Sequence, residues 1–243
     1  MSDAYADAAD ALADPLVGVA QFGDVLLEAF PGDGISVSTL GDLLPSQTLS
    51  ATDETAAKID ELQFDLGEGP CWDAVSHGMP VLVENLTSQV GDRWPAFLKA
   101  LADSPVSSLF AFPIVFGPLR LGAIDSYGLG VTTLAAKDTE GMLRIGTALG
   151  RRVLEHALTE ADHANDDLEP SPGDQFSRRS IHQATGVVIA QIGGSPDDAH
   201  LLIQGQAFSM HRSMAEVATD LLERRIGFRR SAAGITVEVF HVD

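Results

Sequence analysis

Apolar residues recur with a helical period in three consecutive runs near the end of the chain, SIHQATGVVIAQI, SPDDAHLLIQGQAFSM and SMAEVATDLLERR, between residues 180 and 225. Ile181, Ala184, Val188 and Ile192 form one stripe; Ala199, Leu202, Ile203 and Met210 a second; Val217, Leu221 and Leu222 a third. The boundaries carry start signals. Ser195-Pro196-Asp197-Asp198 offers a cap, a first-turn proline and two acids that suit the helix dipole. Ser213 and Glu216 have capping-box spacing. Arg224 and Arg225 suit a helix C-terminus and Gly227 an exit. The pattern predicts an all-α three-helix bundle over 176–230.

Upstream, the pattern is mixed. Residues 11–30 read as one amphipathic helix, with Leu16, Val19, Ala20, Val25, Leu26 and Phe30 on one side, stopped by Pro31-Gly32-Asp33-Gly34. Alternation over 35–40 predicts a strand, 53–62 a helix, 80–83 a short strand and 94–102 a helix. The run Leu109–Phe116 is apolar on both faces and suits a central strand, which Gly117-Pro118 turns into a hairpin with 119–127. A long helix over 138–161 carries Met142, Ile145, Leu149, Val153 and Ala157, more stripe than one small sheet needs. This stripe and that on 11–30 are the natural candidates for a dimer surface. Residues 162–175 hold two prolines and little apolar content and form a linker. The tail alternates over 235–240 like a strand with no assignable partner. The organisation is α+β: a first domain over 1–161, the linker, the bundle over 176–230 and the tail over 231–243.

Charge separates the two halves further. The net charge is −20. Residues 1–173 hold 8 Lys and Arg against 27 Asp and Glu, whereas 174–230 hold 7 Arg against 6 acids. The first part repels polyanions at long range; the bundle permits one without attracting it broadly. No apolar run reaches the length of a membrane span, and the acidic start lacks the basic and apolar regions of a secretory signal. A cytoplasmic protein is expected. The one cysteine, Cys71, excludes an intramolecular disulfide.

Two blocks of residues resemble known families. Leu66-Gly67-Glu68-Gly69-Pro70-Cys71-Trp72-Asp73-Ala74, Arg93-Trp94-Pro95, Ala111-Phe112-Pro113-Ile114 and Leu121-Gly122-Ala123-Ile124 resemble an actinobacterial GAF domain. Ile181-His182-Gln183-Ala184-Thr185-Gly186-Val187, with Ala207-Phe208, Arg212, Glu216-Val217-Ala218 and Arg224-Arg225, resembles an ANTAR domain. The resemblance implies a sensory antiparallel sheet flanked by helices, joined to a bundle that binds paired RNA stem-loops and favours transcription antitermination as a homodimer. It implies an RNA surface at Arg178, Arg179, His182, Gln183, Thr185, Gly186 and Arg212. Many members carry Lys where this chain has Thr185, and basic residues where it has Leu202 and Gln204; each lost cation weakens phosphate affinity. A small-molecule ligand of the first domain would sit near Phe112, Ile114, Asp125 and Ser126, although Asp125 and Ser126 also suit a cap or turn and the phenylalanines a core.

Candidate chemistry is sparse. Cys71 with His77 nearby lacks the orienting group that a nucleophile needs, so a free cysteine in a structural turn is the simpler reading. Gly67-Glu68-Gly69-Pro70 is too short for a phosphate loop. The seven histidines have no metal-motif spacing. No catalytic residue, metal or cofactor is expected. Arg224-Arg225 and Arg229-Arg230, the densest positive cluster, suit a solvated helix end. The chain is expected to be a regulator that passes a signal to RNA. The alternative is a protein-interaction regulator whose bundle has lost RNA affinity and docks on another protein.

Overall fold

The computed structural model describes residues 3–41, 43–88, 93–163, 179–210, 212–231 and 234–240. The chain divides into two compact units, Met1–Phe176 and Ser177–Asp243.

Among the described residues the first unit is built on a five-stranded antiparallel sheet in the order β2-β1-β5-β4-β3. Its strands are β1 (Gly34–Thr39), β2 (Gln47–Ala51), β3 (Val81–Val83), β4 (Ser108–Phe116) and β5 (Leu119–Gly128). The apolar hairpin predicted from 109–127 is β4–β5, at the centre of the sheet. Pro113 is tolerated there because β3 pairs with β4 only as far as Ala111, so no ladder bond is lost on that side. The short strand β2 lies outside the elements the pattern predicts.

One face of the sheet presents Ile35, Val37, Phe110, Phe112, Ile114 and Ile124, buried against α1 (Ala4–Ala13), α2 (Phe22–Leu27) and α6 (Ala136–His163). Phe30 packs edge-on against Phe110 and Phe112. The predicted helix over 11–30 is replaced by α1, a 3-10 turn at Val19–Gln21 and α2. Asp14 ends α1 in extended conformation, the restriction expected of a residue before proline, and Leu16 is 90% exposed. The stripe on α6 is also consumed within the unit: Met142, Ile145, Leu149 and Val153 have no exposed surface. Gly146 and Gly150 let the helix lie directly on β4, where a Cβ would collide with the carbonyls of Pro113 and Val115. The Arg152 guanidinium donates to the carbonyls of Leu12, Asp14 and Val17, tying α6 to the end of α1. The 138–161 stripe is thus buried within the unit as far as Val153, whereas the 11–30 stripe is split, with Leu26 and Phe30 in the core and Leu16 in solvent.

The opposite face is covered by α3 (Glu54–Leu66), α4 (Pro70–His77) and α5 (Pro95–Leu101). Asp53 caps α3, accepting from the Thr55 and Ala56 amides at 2.8 and 2.9 Å, and Gly67 closes it in the left-handed region.

The second unit contains α7 (Arg179–Ile192), α8 (Pro196–Met210) and α9 (Met214–Leu222), packed through most of the predicted stripes; Met210 and Leu222 instead stay exposed, and Ala207, Met214 and Ala218 fill the core. Both predicted N-terminal caps form. Ser195 Oγ accepts from the Asp198 amide at 3.1 Å; Ser213 Oγ accepts from the Glu216 amide at 3.2 Å, and Glu216 accepts from the Ser213 amide at 2.9 Å. The unit is not purely helical. The segment expected to leave α9 at Gly227 is strand β6 (Ile226–Ser231), antiparallel to β7 (Gly234–Val239), so the tail strand finds its partner inside the span predicted as bundle. The exit is made at Arg224, which takes a left-handed conformation (φ 57°). Arg229 and Arg230 therefore lie on a strand, not at a helix end.

Candidate functional site

On the helix-covered face of the first sheet, register places Ser36 opposite Asp125 and Ala111 on the other side of it. Here α3 brings two polar side chains inward. Asp60, with no exposed surface, accepts from Ser38 Oγ at 2.7 Å and from Thr48 Oγ1. One turn on, Gln63 donates from Nε2 to Asp125 Oδ2 at 2.9 Å, while its Oε1 accepts from the Cys71 amide at 2.8 Å. The second carboxylate oxygen of Asp125 is buried and finds no hydrogen-bond partner among the described residues. Burial, and next the Asp60 charge, push the Asp125 carboxyl well above the usual carboxylate range, against a smaller lowering by the Gln63 amide. The result is a buried acid held by one amide, with hydrogen-bonding capacity to spare.

The four residues proposed for a sensory pocket do not converge. Asp125 faces α3, whereas Phe112, Ile114 and Ser126 point through the other face into the α1–α2–α6 core. Ser126 Oγ is buried there without a partner among the described residues, close to Gly32. Strand alternation separates them: 112, 114, 124 and 126 share a side through cross-strand pairing, and 125 does not. The residues that do meet Asp125, Gln63 and Asp60, carried a readable signal. They lie at core-facing positions of α3 with Ala56, Ile59 and Phe64, where a polar residue needs a buried partner.

The glycine-rich block and the Arg-Trp-Pro block come together as structure. Asp73 accepts from Arg93 Nη2 at 2.8 Å and from Trp94 Nε1 at 3.1 Å. Glu68 caps α5, accepting from the Phe97 amide at 2.7 Å. Arg93 lies over the Trp94 ring at 4.2 Å. Cys71 sits in the first turn of α4, fully buried, rather than in a turn.

In the second unit, α7 shows an exposed face. His182, Gln183 and Gly186 lie outward, and the Gly186 Cα has open space beyond it. Thr185 does not join them: it is 9% exposed and its hydroxyl donates to the Ile181 carbonyl at 2.8 Å. Arg178 and the Arg179 side chain lie outside the described residues. Arg212, before α9, is turned onto its own unit. Its guanidinium donates to Asp220 Oδ2 at 2.5 Å and lies 3.7 Å from Glu216. Asp220 also accepts from Arg225 at 2.8 Å, so two guanidinium groups hold its carboxyl below the usual range. Arg225 pairs with Glu223 as well, and Arg229 pairs with Glu238 at 2.8 Å. Much of the positive charge near α9 is therefore internally matched.

A sheet-and-helix domain with a buried acid and a capped helical module form two separate compact units rather than one continuous fold. The family model for the ANTAR domain matches residues 176–222, which spans α7, α8 and α9. Among solved structures, the chain is similar to the GAF domain of an Acinetobacter phosphoenolpyruvate-protein phosphotransferase, at 13% identity and TM-score 0.48, covering 70% of this chain and 100% of that one. A GAF domain of a phosphoenolpyruvate-protein phosphotransferase from Coxiella burnetii matches at 14% identity and TM-score 0.47, covering 66% and 99%. The free methionine-R-sulfoxide reductase from Neisseria meningitidis matches at 17% identity and TM-score 0.44, covering 65% and 89%. No curated protein matches the chain. Among the described residues no helix is long and apolar enough to cross a membrane, and no group of three or more His, Cys, Asp or Glu could hold a metal ion.

Proposed function

We propose that this protein is a cytoplasmic, non-catalytic regulator in which a GAF-like sensor controls an ANTAR module that binds RNA stem-loops and promotes transcription antitermination. The ANTAR match over 176–222 carries the reading. His182, Gln183 and Gly186 support it: they share an exposed helix face where an unpaired base can approach closely and an amide can reach its edge. The signal enters through the first domain. Asp125, buried with an unused oxygen, is the group that a small polar ligand would satisfy. Two copies of the module, engaging two stem-loops at once, gain affinity through effective concentration.

A second reading has its own observation. Arg212 is engaged by Asp220, and Thr185 is covered, so two of the named RNA contacts are turned inward. This favours a module that docks on a protein. Titrating the full chain into an RNA of two tandem hairpins across a salt series separates the two. The RNA reading expects binding at low salt that falls steeply as salt rises. A folded protein that shows no binding at low salt removes it.

A further inference from the structure

Strand β7 is the open edge of the second unit. The Phe240 amide donates to the Arg225 carbonyl at 2.8 Å, which fixes the phase of the hairpin ladder. Residues 236, 238 and 240 direct their backbone groups to β6, so Ile235, Val237 and Val239 direct theirs outward. On β6 the outward-facing amide of Phe228 is already taken by Gln191 Oε1 at 2.8 Å. Among the described residues β7 has no strand on its other side. Ile235, Val237, Val239 and Phe240 are 38, 36, 68 and 45% exposed. An unpaired, β-branched, proline-free edge of this kind is a template for strand addition. The hairpin lies beyond the residues that the ANTAR model matches, so the family does not account for it.

We propose that β7 pairs with β7 of a second copy, antiparallel about a two-fold axis through Val237, to make one continuous four-stranded sheet. The register is self-complementary. Val237 meets its counterpart through reciprocal main-chain bonds, and Ile235 meets Val239 of the other copy, so each outward donor finds an acceptor and apolar side chains lie beside apolar side chains across the seam. Thr236 comes opposite Glu238, a neutral partner for a carboxylate already paired with Arg229. An axis through Glu238 would instead set carboxylate against carboxylate, which disfavours that register. The pairing needs the hairpin alone and is independent of RNA binding.

Sedimentation velocity of the full chain over a concentration series, with a disulfide probe, tests it. The wild type is expected to dimerise. Val237→Cys is expected to form an intermolecular disulfide on mild oxidation, while Arg229→Cys, roughly 16 Å from its counterpart across three strand spacings and a two-residue offset, does not. Val237→Pro removes an outward donor without touching the β6 ladder and is expected to weaken the dimer by roughly 30-fold with unchanged helical circular dichroism. Val237→Lys serves the same purpose if the proline variant misfolds. A monomeric wild type overturns the proposal, whether the edge stays bare or takes a strand from another protein. A dimer that survives Val237→Lys, and whose Val237→Cys variant forms no intermolecular link, also overturns it, because the interface then lies elsewhere.

Discussion

Gln63 holds Asp125 with one end of its amide and the first turn of α4 with the other: Nε2 donates to Asp125 Oδ2 at 2.9 Å and Oε1 accepts from the Cys71 amide at 2.8 Å. A change in the charge of Asp125 is thereby coupled to the start of the helix that covers the sheet. This bond orients the buried acid and links two elements that the chain order separates.

Asp125 makes stability depend on pH in a defined direction. Its folded carboxyl titrates well above the ordinary value, so its contribution is fully present below the ordinary carboxylate range and is lost as pH rises through the raised value. Asp125→Asn keeps an acceptor for Gln63 and removes the cost of burying charge. The variant is expected to melt higher than the wild type at neutral pH, with the gap closing as pH falls towards 4, about the ordinary carboxylate value. Thermal unfolding across that pH range checks it; a gap that widens on acidification would contradict the assignment.

Asp220 has the opposite sign. Two arginines depress its pKa, so the pairing stabilises above the ordinary carboxylate range and fades as pH falls through the depressed value. Arg212→Ala leaves the Asp220 carboxylate with Arg225 alone and is expected to destabilise the module. Urea unfolding at pH 7 and at low pH measures this, and the loss should shrink in acid.

Gln183→Ala tests the RNA face without disturbing the core, since the residue is exposed. If its amide reads a base, affinity for the cognate hairpin should fall by about 1–3 kcal/mol, with the salt slope unchanged because no cation is lost. Equal weakening on all hairpins, measured by fluorescence anisotropy, would point to a structural effect instead.

Gly150→Ala probes the contact of α6 with β4. Alanine improves helix propensity by up to about 1 kcal/mol, but here its methyl meets the Val115 carbonyl. The expected outcome is net destabilisation with a lower melting temperature. Gly186→Ala, where nothing lies within 4 Å, should instead be neutral or stabilising.

Local signals that depend on spacing were legible in the chain. The stripe of α7, most of those of α8 and α9, the caps at Ser195 and Ser213, and the central β4–β5 hairpin follow from periodicity and side-chain chemistry within a few residues; Met210 and Leu222 do not, since both are exposed. Strand β2 was not legible, because its short run pairs only with β1. The helix over 11–30 failed for a local reason, the proline at 15.

By itself, the sequence determined which segments are amphipathic, where their helices begin, and that the acidic and neutral parts of the chain are separate. Only the tertiary structure decided which polar groups meet. It sent Asp125 to one side of the sheet and Phe112, Ile114 and Ser126 to the other, buried the α6 stripe against its own sheet, turned Arg212 onto Asp220, and gave the tail strand its partner in β6. The physical reason is range. Periodicity and capping act within one turn or one strand, whereas the environment of a buried charge is set by residues such as Gln63 and Asp125, 62 positions apart in the chain.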